Sequence, residues 1–103
     1  MTIQTASLTT TTSNVYVSVG NTAITSMTLC NYSPGNVSAN LFVVPTGDSA
    51  TTANQMWYEL ILPSGDTYQL YAASEKIILN NGDSIQANAS GNGISVITSY
   101  ISI

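Results

Sequence analysis

Apolar and polar side chains alternate along much of this chain, and the alternation is interrupted at short intervals by glycine, proline and asparagine. Val15, Val17 and Val19 alternate with Tyr16 and Ser18. Val37, Ala39, Leu41 and Val43 alternate with Ser38, Asn40, Phe42 and Val44. Tyr68, Leu70 and Ala72 alternate with Gln69 and Tyr71, and Ile85, Ala87 and Ala89 with Gln86 and Asn88. A period of two predicts strands with one buried face, because successive side chains on a strand point to opposite sides. Residues 23–32 are less regular: Ile24 lies on the opposite parity from Met27 and Leu29. That mismatch predicts a bulge near Thr25-Ser26, or burial on both faces. Residues 56–62 form the most apolar run and stop at Pro63, while 77–79 and 94–103 are further strand candidates. No segment has a helical period with caps, although one short helical turn fits Thr51–Gln55.

The breaks between runs carry turn chemistry. Gly20-Asn21, Ser33-Pro34-Gly35-Asn36 and Ser90-Gly91-Asn92-Gly93 are strong reversal signals, the last hairpin-like. Three breaks share one punctuation: Pro45-Thr46-Gly47-Asp48, Pro63-Ser64-Gly65-Asp66 and Asn80-Asn81-Gly82-Asp83. Asn81-Gly82 predicts a tight type I′ reversal. Eight or nine short strands at this spacing predict an all-β fold, an antiparallel, jelly-roll-like β-sandwich. Residues 1–14, rich in Thr, read as an extended arm or an edge strand, and 15–103 as a single sandwich domain.

Charge changes the picture more than size does. Only 6% of the 103 residues are charged, against about 25% in ordinary soluble domains. Lys76 is the single cation in a chain of net charge −4. Nucleic-acid binding needs several Lys or Arg to displace counterions from phosphates, and anionic membranes attract basic segments, so neither is an expected partner. The chain has no His and one Cys, Cys30. An intrachain disulfide is impossible, zinc and Cys/His sites of the usual construction are excluded, and Cys30 reads as a small buried side chain. No basic, apolar leader opens the sequence and no apolar run reaches bilayer length, so synthesis in a cytosol is expected. Asn31-Tyr32-Ser33, Asn36-Val37-Ser38 and Asn88-Ala89-Ser90 match glycosylation acceptors, as chance produces in a chain this rich in Asn and Ser.

Candidate chemistry is sparse. The Gly-Asp pairs hold three of the five acidic residues, and converging carboxylates would suit a hard cation such as calcium. Each loop offers one carboxylate, however. The competing reading is structural: glycine supplies a positive φ and aspartate bonds nearby backbone. Glu59 among aromatics, with Glu75 as a partner, has no spacing that supports glycoside hydrolysis. No catalytic residue, metal or cofactor is therefore expected. Trp57, Tyr58, Tyr68 and Tyr71 fit either a sugar-stacking platform or a core and subunit interface. Trp57 and Tyr58, being adjacent on a strand, cannot share a face. With one Lys to protect so many strand edges, the edges are expected to be covered by other subunits.

Residues 27–50 (MTLCNYSPGNVSANLFVVPTGDSA), 62–70 (LPSGDTYQL) and 77–90 (IILNNGDSIQANAS) together resemble small virion proteins of tailed bacteriophages, over roughly residues 15–103. The resemblance implies a small β-sandwich or jelly-roll structural component and no catalytic residues. Such proteins decorate or cement the capsid, often as trimers against the major capsid protein, or belong to the neck, tail or fibre. It thus implies a homo-oligomer on a virion. A carbohydrate-binding module for host-surface recognition, built on Trp57 and the tyrosines, is the alternative from another class.

Overall fold

The structure is a computed structural model describing residues 2–71 and 77–103; the side chains of Thr2, Leu70 and Tyr71 lie outside that description. Glu75 and Lys76 therefore fall outside the described residues. Among the described residues nine strands follow one another: β1 (Thr2–Leu8), β2 (Ser13–Val17), β3 (Thr22–Asn31), β4 (Val37–Val44), β5 (Gln55–Leu62), β6 (Thr67–Tyr71), β7 (Ile77–Leu79), β8 (Ser84–Ala89) and β9 (Ile94–Ser102). A 3₁₀ turn, Thr52–Asn54, precedes β5, with the Thr51 side chain accepting from the Ala53 N–H as its cap.

The strands form two antiparallel sheets. One has the order β1-β9-β3-β6, with β7 pairing the other end of β3 on the same edge as β6. The second has the order β2-β8-β4-β5. The chain changes sheet at every connection except β4 to β5 and β6 to β7. A five-strand layer, in which β6 and β7 share one edge, and a four-strand layer wound in this way are a jelly roll. The fold expected from strand spacing is the fold observed.

The core lies between the layers. Met27, Leu29, Ile94 and Val96 from the first sheet face Ala39, Leu41, Ile85 and Ala87 from the second, and all are buried. The expected bulge in β3 is present, as the register with β9 shifts between Ile24 and Ser26. The extra residue, Thr25, restores Ile24 to the inner face with Met27 and Leu29.

Strand β2 departs from its alternation. Val15 and Tyr16 are both buried, Ser18 is buried, and Val17 and Val19 are exposed. A register shift between Asn14 and Tyr16 makes Val15 a bulge, and one added residue moves every later side chain to the opposite face. Tyr16 then turns inward, its ring centroid 4.5 Å from that of Tyr100.

The repeated punctuation builds three turns of one kind. Asp48, Asp66 and Asp83 each donate an N–H to the carbonyl three residues back, at 3.0, 3.0 and 3.1 Å. Gly47, Gly65 and Gly82 at the third turn position have φ of 87°, 81° and 86°. Asn81 does not have positive φ. The Asn81-Gly82 reversal is therefore type II, not the type I′ expected, because type I′ needs positive φ at both central residues. It joins β7 to β8, strands of different sheets, as Ser90–Gly93 joins β8 to β9. Neither is a hairpin.

Candidate interaction surface

The two outer faces of the sandwich are chemically different. On the β2-β8-β4-β5 sheet, polar side chains bind one another across the strands. Asn88 Nδ2 donates to Thr12 Oγ1 at 2.7 Å, and Asn40 Nδ2 donates to Asn88 Oδ1 at 2.7 Å. Asn40 Oδ1 accepts from the Glu59 N–H at 2.8 Å and from Gln55 Nε2 at 3.3 Å. The last contacts fix a bulge in β5, where Glu59 holds φ of 52°. A left-handed conformation costs a non-glycine residue about 1–2 kcal/mol, and the Asn40 bond offsets part of it. This row engages the amides of Asn40, Gln55 and Asn88 with one another and with the Glu59 backbone and Thr12.

The outer face of the β1-β9-β3-β6 sheet is different. Ser95, Ser99 and Thr28 on it make no side-chain hydrogen bond among the described residues, and no charged residue stands on its described positions. Isoleucines are interleaved with them. Ile3 pairs with Ser99, whose neighbours two places along β9 are Ile97 and Ile101. Ile101 faces Ala23, and Ala23 faces Ile78 of β7 on its other side. Ile3, Ile78 and Ile97 are 62%, 53% and 44% exposed, so three large aliphatic side chains meet solvent on one connected patch. Cys30 also belongs here, half-buried between Ser95 and Thr67. The expected burial of its thiol in the core does not occur, since it shares the outward parity of Thr28.

The four aromatics singled out from the sequence do not form one platform. Trp57 points inward from β5 and packs edge-on against Tyr68 of β6, their centroids 5.1 Å apart at 85°. Both are half-buried against the core. Tyr58 turns the other way and is exposed. The Tyr71 side chain lies outside the described residues.

The Gly-Asp turns separate in space. The Pro45–Asp48 and Asn80–Asp83 turns stack at one end of the sandwich. Asp83 Oδ1 accepts from the Thr46 N–H at 2.9 Å and from Thr46 Oγ1 at 3.0 Å, and Asp83 Oδ2 accepts from the Asn80 N–H at 2.9 Å. The Thr46 and Asn80 backbone donors hold the Asp83 carboxyl below its ordinary 3.8. Gly82 has no room for a Cβ, which would meet Thr46 Oγ1 at 2.7 Å. The Pro63–Asp66 turn sits at the opposite end, where the Gly65 N–H donates to the Asn31 carbonyl and Asn31 N–H to the Asp66 carbonyl. Among the described residues no three acidic, Cys or His side chains cluster as a metal site would require.

The glycosylation pattern at Asn31 is occupied structurally. Asn31 is fully buried, with Nδ2 donating to the Leu62 and Gly35 carbonyls at 2.7 and 2.9 Å. Sequence reasoning missed the isoleucine patch, the amide row and this buried asparagine. The patch had one signal, since residues 94–103 carry aliphatic side chains on both parities.

No protein-family profile matches the chain, and no curated protein matches it either. A solved structure, "Structure of infectious bursal disease virus Gx strain", aligns over 93% of this chain at 10% identity and TM-score 0.39. The chain spans about a third of that viral chain, 30% of its length.

Proposed function

We propose that this chain is a non-enzymatic structural protein of a virus particle, and within that class a capsid decoration or cement protein of a tailed phage. The observation that carries the reading is the uncharged outer face of the β1-β9-β3-β6 sheet with its connected isoleucines. Contiguous exposed apolar side chains mark surfaces that other proteins cover. A chain with 6% charged residues lacks the mixed ionic surface that keeps small domains apart in solution. Fold alone does not name a function, though jelly rolls serve in viral capsids.

The role is mechanical. Each copy, docked through this face to a neighbouring copy and to the shell, adds buried area that must be separated before the shell opens. A stable contact of ordinary size buries about 1,600 Å² in total. A homotrimer against the major capsid protein fits the resemblance described above, as does a site in the neck, tail or fibre. The protein would be made in the host cytoplasm and reside in the virion, with neither nucleic acid nor membrane as a partner.

Ile97→Asp tests the reading, because it places a carboxylate in the middle of the patch without touching the core. Size-exclusion chromatography with light scattering, together with co-sedimentation on assembled particles, is expected to show the unsubstituted protein oligomeric and particle-bound. Ile97→Asp is expected to be folded by circular dichroism, monomeric and unbound. An unsubstituted protein that stays monomeric at high concentration and does not sediment with particles refutes the proposal.

A further inference from the structure

The two sheets part on the side of the sandwich bounded by β1 and β2, leaving a groove of about 600 Å³. Gln4, Asn14, Tyr16, Tyr100 and Ser102 line it together with the valines in and after β2. We propose that this groove binds a neutral saccharide. The inference is independent of how the isoleucine face is covered.

Its polar groups are unspent. The side chains of Gln4, Asn14, Tyr100 and Ser102 make no hydrogen bond among the described residues. The amides of Asn31, Asn40 and Asn88 are all engaged by contrast. Amides and hydroxyls each both donate and accept, which matches the hydroxyls of a sugar, themselves donors and acceptors. The lining holds no carboxylate, guanidinium or ammonium. An anionic or cationic ligand would thus enter without a counter-charge, and the net charge of −4 further opposes an anion.

The groove also has an apolar floor. Tyr16 and Tyr100 pack as a tilted pair, centroids 4.5 Å apart at 39°, and Tyr16 Oη is hydrogen-bonded to Thr22 Oγ1 at 3.2 Å, so the ring pair is held in place. With Val17 and Val19, which are exposed, the half-buried Tyr100 ring backed by Tyr16 can take the C–H face of a pyranose while the amides take its rim. A groove of several hundred cubic ångströms with aromatic walls and a few convergent polar groups is the usual form of a small-molecule site. An extended peptide is the competing occupant, since β1 and β2 are both edge strands. The bulge at Val15 disturbs the β2 edge against regular strand addition, which favours the sugar.

The test is an NMR titration of the isotope-labelled full chain with maltotriose, cellotriose, mannotriose and triacetylchitotriose at millimolar concentration. At least one is expected to shift the Gln4 and Asn14 side-chain amides and the Tyr100 ring saturably, leaving the Trp57 indole unmoved. Gln4→Ala and Asn14→Ala, both at exposed positions, are each expected to weaken that binding about five-fold, the loss of about one hydrogen bond. Three results overturn the proposal: no saturable shift with any of the four sugars, shifts centred on Trp57 and Tyr58, or β1 backbone shifts that grow with protein concentration in the absence of sugar. The last would place a strand of a second copy in the groove.

Discussion

Replacing Asn31 with alanine should cost this domain a large share of its stability. The carboxamide is fully buried where three segments meet. Nδ2 donates to the Leu62 carbonyl at 2.7 Å and to the Gly35 carbonyl at 2.9 Å. Oδ1 accepts from the Ser33 N–H at 3.0 Å and from Ser33 Oγ at 2.7 Å. The Leu62 carbonyl lies in the buried part of this cluster and is left unpaired by the substitution, at a cost of about 1–3 kcal/mol. The other three groups lie at the partly exposed turn, where water can replace the amide, so each costs about 0.5–1 kcal/mol. Together these give about 2.5–6 kcal/mol, against about 5–15 kcal/mol for a whole domain of this size. The midpoint of thermal unfolding should fall by roughly 15–30 °C. Urea unfolding followed by Trp57 fluorescence gives the free energy directly. Asn31→Asp sharpens the test. Its second oxygen would face the Leu62 and Gly35 carbonyls as a buried anion, so burial should raise its folded pKa. The protonated acid can donate where the amide did. Its deficit should therefore be largest at neutral pH and shrink as pH falls toward the unfolded carboxyl value of about 4. An Asn31→Ala loss below about 1 kcal/mol, or an Asp variant as stable as the original at neutral pH, would refute the reasoning.

Four further outcomes follow from the same geometry. Thr98 is fully buried with its Oγ1 unpartnered among the described residues; Thr98→Val should stabilise by about 1–2 kcal/mol in urea unfolding, and a loss would mean the hydroxyl has a partner. Gly93 has φ of 121° and its Cβ would meet Ser33 Cβ at 2.5 Å, so Gly93→Ala should cost about 3 kcal/mol through strain and overlap; a near-neutral thermal shift would count against that corner being tightly packed. Asp83 is held below 3.8 by the Thr46 and Asn80 N–H donors. Its contribution is present above the unfolded carboxyl value and lost as pH falls through the lower folded one; Asp83→Asn should flatten stability over that acid window, and an unchanged pH profile would remove the carboxylate from the account. Glu59→Gly should be neutral or stabilising by about 1 kcal/mol, whereas Glu59→Val, at φ of 52°, should cost about 1–2 kcal/mol; equal losses for both would show that the left-handed bulge is not strained.

Strand existence was readable because burial on one face writes a period of two, which β4 keeps from Val37 to Leu41 and β8 from Ile85 to Ala89. The β3 bulge was readable for the same reason, as a break in parity. The β2 bulge was not: Val15, Val17 and Val19 give a flawless alternation, and the inserted residue is visible only in the pairing with β8. The aromatics were half readable. Strand geometry required Trp57 and Tyr58 to part, but which one turned inward depended on Tyr68 arriving from the opposite sheet.

The amino-acid sequence by itself determined the local reversals and the strands between them, because glycine's access to positive φ and proline's missing N–H act within a few residues. It also determined the scarcity of charge that leaves the isoleucine face without ionic protection. Tertiary structure decided where each reversal leads. Three turns of one geometry serve one within-sheet connection, β4 to β5, and two crossings between sheets, β5 to β6 and β7 to β8. A four-residue turn fixes only the direction of its two ends. Which sheet the next strand joins depends on apolar faces and backbone partners contributed from distant parts of the chain. The same long-range packing left the outer hydroxyls of Ser95, Ser99 and Thr28 without a partner among the described residues and joined amides of the other sheet into a row.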